Sequence, residues 1–139
     1  MKQACHIKHD NTFFILRRHH YNAIWVVGEL RRFIRSAVKK EEMAAYIKQE
    51  FFGQLEPHLK DEEMALFPLL PPDNALRLQA EDQHTALHRL AENCISPAKV
   101  SLSIVEAFAD LLEENIRFEE RMLFPYMEKM ANKENADLN

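Results

Sequence analysis

Two glycines, Gly28 and Gly53, are the only places in these 139 residues where the backbone escapes the steric limits of a side chain. Hairpin turns, phosphate-cradling loops and dinucleotide-binding turns all draw on glycine. A chain this poor in it, yet 47% hydrophobic and 29% charged, points to an all-helical fold. The length fits one domain over residues 1–139, with a helical core over about 10–130. The 18 Lys plus Arg and 22 Asp plus Glu leave a formal charge of -4, so no broad basic field recruits nucleic acid or anionic lipid. Met1 to Asp10 is polar where a signal peptide needs an apolar stretch, and no run approaches a membrane span, so a cytoplasmic protein is expected. Cys5 and Cys94 are too few for a disulfide framework and lack zinc-motif spacing; both are expected reduced.

Apolar residues recur at helical spacing in four stretches. Phe13, Leu16, His20, Ile24, Val27, Leu30 and Ile34 form the stripe of a first helix over about 12–38, with Asp10, Asn11 or Thr12 as N-cap and Lys39 and Lys40 in the last turn. A second, about 41–67, opens with Glu41 and Glu42, buries Ala44, Ile47, Phe51, Leu55, Leu59 and Leu66, and stops at Pro68. Within it Pro57 clashes with the carbonyl of Gly53, which predicts a kink at 53–57; the alternative is a helix restarting at Pro57. After Pro71 and Pro72, Asp73 caps a third helix, about 74–94, with Leu76, Ala80, His84, Leu87 and Ala91 inward. A fourth begins at Ser96 and Pro97 or a turn later and carries Phe108, Leu112, Asn115, Glu119 and Met122; residues 132–139 are expected to fray. Short connections make the neighbours antiparallel, giving an up-down-up-down four-helix bundle.

The second and fourth helices hold a near-duplicate. His58, Glu62, Glu63, Leu66, Phe67 and Pro68 match Asn115, Glu119, Glu120, Leu123, Phe124 and Pro125 at identical spacing. Residues four apart share a helix face, so His58 with Glu62, and Asn115 with Glu119, each aim a polar group and a carboxylate the same way. His20 and His84 fall on the apolar stripes of the other two helices, and His88 lies one turn from His84. Buried imidazoles and carboxylates need a counter-charge. Two readings meet that need: a metal centre, dinuclear if the carboxylates bridge, or a pH-sensitive polar layer in which histidines bond Glu62 and Glu119.

These segments resemble the hemerythrin-like, or HHE cation-binding, domains over roughly residues 10–130. The resemblance implies a four-helix bundle around a non-haem di-iron centre, with His20 and His58 on one metal, His84 and His88 on the other, and Glu62 and Glu119 as bridges. His19 competes for the place of His20, which stands in register with Leu16, Ile24 and Val27; His6 and His9 precede the first helix and read as surface residues. One position departs from the family pattern: Asn115 stands where a histidine is expected. Its neutral amide leaves the site beside His84 short of a donor, so that a second metal there is weakly held, absent, or held with an open position. The implied function is an iron protein that binds or senses oxygen or nitric oxide, or handles iron. The alternatives are a di-iron carboxylate oxidase or peroxidase, and a metal-free interaction module joined through Phe51, Phe52, Phe67, Phe118 and Met122.

Overall fold

The computed structural model describes the backbone of residues 9–138 and the side chains of residues 13–134; His6 and Cys5 lie outside them. The first stripe folds as α1 (His9–Arg35), so His9 opens the helix rather than preceding it, and Asp10, Asn11 and Thr12 lie inside it rather than capping it. The helix ends in a Schellman turn: the Val38 N–H donates to the Phe33 carbonyl at 3.1 Å and the Ala37 N–H to that of Ile34 at 3.4 Å. Ala37 takes the left-handed position that this turn needs, with φ 55. Lys39 therefore caps the next helix, and Lys40 begins it, instead of closing the first.

The second rod is α2 (Lys40–Glu50), a π-helical turn at Phe51–Leu55, and α3 (Glu56–Ala65), followed by a 3₁₀ turn at Phe67–Leu69. The Glu56 N–H donates to the Phe51 carbonyl, five residues back. This widened turn is how the chain accommodates Pro57, which has no N–H and whose ring would strike the carbonyl four residues before it. The irregularity thus falls at 51–55 rather than 53–57, and Gly53 is not its cause: it has no positive φ, and a Cβ there would meet nothing within 4 Å. The third rod is α4 (Ala75–Cys94). Its cap is Asn74, whose side chain accepts from the Arg77 N–H at 3.0 Å, and not Asp73, which the Pro71 turn leaves one residue too early. The fourth rod is α5 (Leu102–Phe118), capped by Ser101, a π turn at Glu119–Leu123, and α6 (Phe124–Leu138). Ser96 and Pro97 form a turn before it, and α6 continues through the tail expected to fray.

The rods are antiparallel to their neighbours, as the cross-contacts show: Arg17 bonds Glu128, His20 bonds Glu119, and Arg31, further along α1, bonds Asp110, further back along α5. The result is an all-α bundle of up-down-up-down topology, with no strand among the described residues. Most of the expected inward residues are buried. Ile24 is not, because the buried face of the helix extends from His20 to the side of Ala23, Val27 and Leu30, and Ile24 is rotated about 40° the other way. Met122 is exposed because the π turn rotates Leu123 inward instead. Phe51, Phe67 and Phe118 are core, whereas Phe52 is at the surface; Cys94 is buried and unbridged.

The core is divided. One apolar cluster gathers Val26, Leu30, Ile47, Phe51, Leu87, Phe108 and their neighbours; the other gathers Phe13, Leu16, Leu66, Phe67, Leu123 and Phe124. Among the described residues seven polar side chains are also buried: His20, His58, Glu62, Gln83, His84, Asn115 and Glu119.

Candidate metal centre

Glu62 and Glu119 are the least accessible of that polar set, both at 0% exposure. Each divides its two oxygens between two sets of nitrogens. Glu62 Oε2 lies 3.0 Å from His58 Nε2 and 3.6 Å from His20 Nε2, while its Oε1 lies 3.1 Å from His84 Nε2. Glu119 Oε1 lies 3.0 Å from His20 Nε2, while its Oε2 lies 3.0 Å from His84 Nε2 and accepts from Asn115 Nδ2 at 3.2 Å. One half-site therefore has His20 and His58, the other His84 and Asn115, and the two carboxylates run between them.

The duplicated motif acquires a physical meaning at each position. Its first glutamate is the central carboxylate. Its second reaches across the bundle to the outer nitrogen of a histidine: Glu63 Oε2 to His84 Nδ1 at 2.7 Å, and Glu120 Oε2 to His20 Nδ1 at 2.8 Å. The leucine is fully buried in both copies. The phenylalanine covers the same histidine ring, Phe67 on His84 with centroids 5.1 Å apart and Phe124 stacked on His20 at 5.5 Å. The backbone reaches this likeness by two routes. After Glu62 the α-helix gives way to the 3₁₀ turn. After Glu119 the π turn brings Phe124 back toward the face of Glu119, where 3.6 residues per turn would leave it about 140° round. Neither the roles of Glu63 and Glu120 nor the use of Gln83 was anticipated from the sequence; the repeated second glutamate was the available signal.

The remaining expected residues are placed as follows. His58 turns its Nδ1 outward to share a hydrogen bond of 3.1 Å with Nδ1 of His19, an exposed side chain on α1. Asn115 offers the pair its amide nitrogen, which also donates to Gln83 Oε1 at 2.8 Å. His88 does not join the cluster: its Nδ1 donates to the His84 carbonyl at 2.9 Å, and its Nε2 lies 3.2 Å from Glu56 Oε2.

Electrostatics in this layer are severe. Burial alone would lower the His20 imidazole, but its hydrogen bond to Glu119 and the nearby charges of Glu119 and Glu62 raise it to about 10. Glu119, Glu62 and Glu63 likewise overcome burial and raise His84 to about 11. Burial raises Glu119, and the neighbouring charge of Glu62 adds to it; Glu62 itself is held well below the ordinary carboxylate range by Glu119 and the three imidazoles, against its own burial. Even so the protein's own groups do not satisfy one another. His58 Nε2 and both oxygens of Glu62 are buried without a properly aligned hydrogen bond, despite separations near 3 Å. Orphaned nitrogen and carboxylate lone pairs that converge on one region are the donor set of a cation site. One donor atom each from His20, His58, Glu62 and Glu119 lies within 4.8 Å of all the others.

An antiparallel helical bundle with histidines and paired carboxylates on its axis defines a class of cation-binding helical proteins. Within that class the chain belongs to the hemerythrin HHE cation binding domain family, whose sequence model matches residues 11–127. No curated protein and no solved structure matches the chain significantly. No helix of the described residues is long and apolar enough to cross a membrane.

Proposed function

We propose that this chain is a non-haem iron protein that holds two cations between Glu62 and Glu119 and binds or senses a diatomic gas, oxygen or nitric oxide, at the half-site beside Asn115. The observation that carries this reading is the division of the carboxylates, each with one oxygen toward His20 and His58 or His20 alone, and the other toward His84. His20 and His58 with one oxygen of each glutamate would hold the first cation; His84 with the other two oxygens would hold the second. When bound, iron supplies a redox-active centre able to take a small exogenous ligand. The chain's own residues orient and restrict it. Glu120 and Glu63 fix the rings of His20 and His84, Phe124 and Phe67 cover them, and the Asn115 N–H presents a hydrogen-bond donor where His58 has its counterpart in the other half. A surface cavity of about 330 Å³, lined by Glu63, Phe67, Glu81, His84, Thr85 and His88, adjoins the outer side of His84.

Anaerobic titration of metal-free protein with ferrous ion tests the stoichiometry. Two equivalents per chain, with an absorption band that changes on adding air or nitric oxide, are expected; fewer than one equivalent overturns the reading. Glu62→Ala and His58→Ala should lower metal content and thermal midpoint together, since ligand binding stabilises the native state by mass action. Asn115→His should tighten the second equivalent and reduce access of azide or nitric oxide. The same cavity against His84 favours a second reading, a small redox enzyme, and steady turnover of peroxide by the loaded protein would select it.

A further inference from the structure

Phe14, Tyr21 and Trp25 stand on the outward face of α1 and are 60%, 77% and 66% exposed. They follow one another at intervals of seven and four, on the side of the helix opposite the buried line of Phe13, Leu16, His20 and Val27, so the bundle cannot cover them. Ile24, also exposed, borders the stripe. Isolated apolar side chains on a surface are ordinary, but an aromatic stripe along one helix is not. Each aromatic carries about 150–250 Å² of surface, so the three at these exposures present on the order of 300–500 Å².

We propose that a second copy of this chain covers the stripe, the two α1 helices packing antiparallel about a two-fold axis between Tyr21 and Trp25. The face is self-complementary in that arrangement, as a two-fold contact requires. Tyr21 of one copy comes level with Trp25 of the other, and Phe14 comes level with Arg32, a guanidinium against an aromatic ring. Arg18 and Glu29 lie on the same flank of the stripe. Antiparallel helices place like flanks side by side, so Arg18 of each copy reaches Glu29 of the other, two opposite-charge pairs from one symmetry operation. Arg18 already lies 5.8 Å over the Phe14 ring, and Glu29 already holds Arg32 at 2.8 Å, so these contacts extend an existing arrangement. The apolar area is about half of the ~800 Å² per partner in a standard interface, which makes this a weak, concentration-dependent dimer with Kd on the order of micromolar to tens of micromolar.

Trp25 is the only tryptophan in the chain, so its emission reports on the contact directly. Sedimentation velocity of the full chain should show the average mass rising toward twice the monomer value with concentration, while Trp25 emission moves to shorter wavelength. Trp25→Glu should remain monomeric with an unchanged helical spectrum. Arg18→Glu and Glu29→Arg should each weaken the dimer about threefold to tenfold, and the double exchange should restore it, since a charge pair reversed across an interface keeps its attraction. A chain that stays monomeric into the hundreds of micromolar overturns the proposal, as does a dimer that Trp25→Glu leaves intact. Cosedimentation of a monomeric chain with anionic phospholipid vesicles, lost in Trp25→Glu, would overturn it in favour of a membrane surface.

Discussion

Glu63 and Glu120 show how much of the proposed metal centre lies outside the residues that would hold it. An imidazole that is to offer Nε2 must carry its proton on Nδ1, and a carboxylate on that side fixes both tautomer and ring orientation. His84 and His20 each have one, at 2.7 Å and 2.8 Å. His58 has the exposed His19 in the same place, at 3.1 Å. Removing such a partner typically costs about tenfold to a hundredfold in metal affinity. Glu63→Ala and Glu120→Ala are therefore expected to weaken cation binding in that range by competition with a coloured chelator, while the exposed Glu114→Ala leaves it unchanged. His19→Ala should weaken binding less, and His19→Gln, whose amide oxygen accepts from Nδ1, should recover most of the loss. Equal affinities across this series would mean that none of the three partners orients the imidazole it touches. The repeat that contains the two glutamates was plain in the sequence. Their targets were not, because each reaches across to another rod, Glu63 to the third and Glu120 to the first, and spacing along one helix carries no information about which neighbour it faces.

Helix type and order follow from the periodicity, while the places where the ladder changes do not. Proline at 57 announces trouble with the bond four residues back but not its remedy, and the chain widens the turn instead of bending at the glycine. Proline at 125 meets the same remedy: the Phe124 N–H donates to the Glu119 carbonyl, five residues before it, and the helix continues. Proline at 68, in the same motif, is met by a 3₁₀ turn that ends the rod. Identical letters thus give different backbones, because Pro71 and Pro72 follow the first copy and a run compatible with helix follows the second. Glycine is also misplaced for helix stability. Gly53 lies within the π turn without a positive φ and with open space at its Cβ, whereas Ala37 occupies the left-handed position. Gly53→Ala is expected to stabilise the fold by about 0.5–1 kcal/mol through the unfolded chain's lost freedom. Ala37→Gly is expected to stabilise it by about 1 kcal/mol through relief of the strained φ. Chemical denaturation of the metal-free protein measures both, and a loss of stability in Gly53→Ala would show that the π turn needs its glycine after all.

At the scale of the whole molecule, two apolar clusters make up the core, and the buried polar layer is where charge has to be balanced. In the metal-free protein protons supply the positive charge. His20 at about 10 and His84 at about 11 both lie above the ordinary 6.5 of the unfolded chain, so their contribution is complete below that value and is lost as pH rises through the folded ones. Glu119, raised from its ordinary 4.5, acts in the same direction; Glu62, lowered, contributes above 4.5 and loses that contribution as pH falls. The thermal midpoint of metal-free protein should therefore be highest in mildly acidic solution, near pH 6, and fall steadily toward pH 10. Cation binding reverses the sign. It requires the imidazoles and both carboxylates without their protons, so it releases protons and strengthens as pH rises. The gain in midpoint on adding ferrous ion under nitrogen, or zinc, should accordingly grow between about pH 6 and pH 8.5, while the metal-free baseline declines. Paired thermal melts across that range, with and without the cation, give both curves from one preparation. A metal-free midpoint that is flat over the range would mean that His20 and His84 are not the charge carriers of the layer. A gain that shrinks as pH rises would mean that the cation binds elsewhere than on these imidazoles and carboxylates.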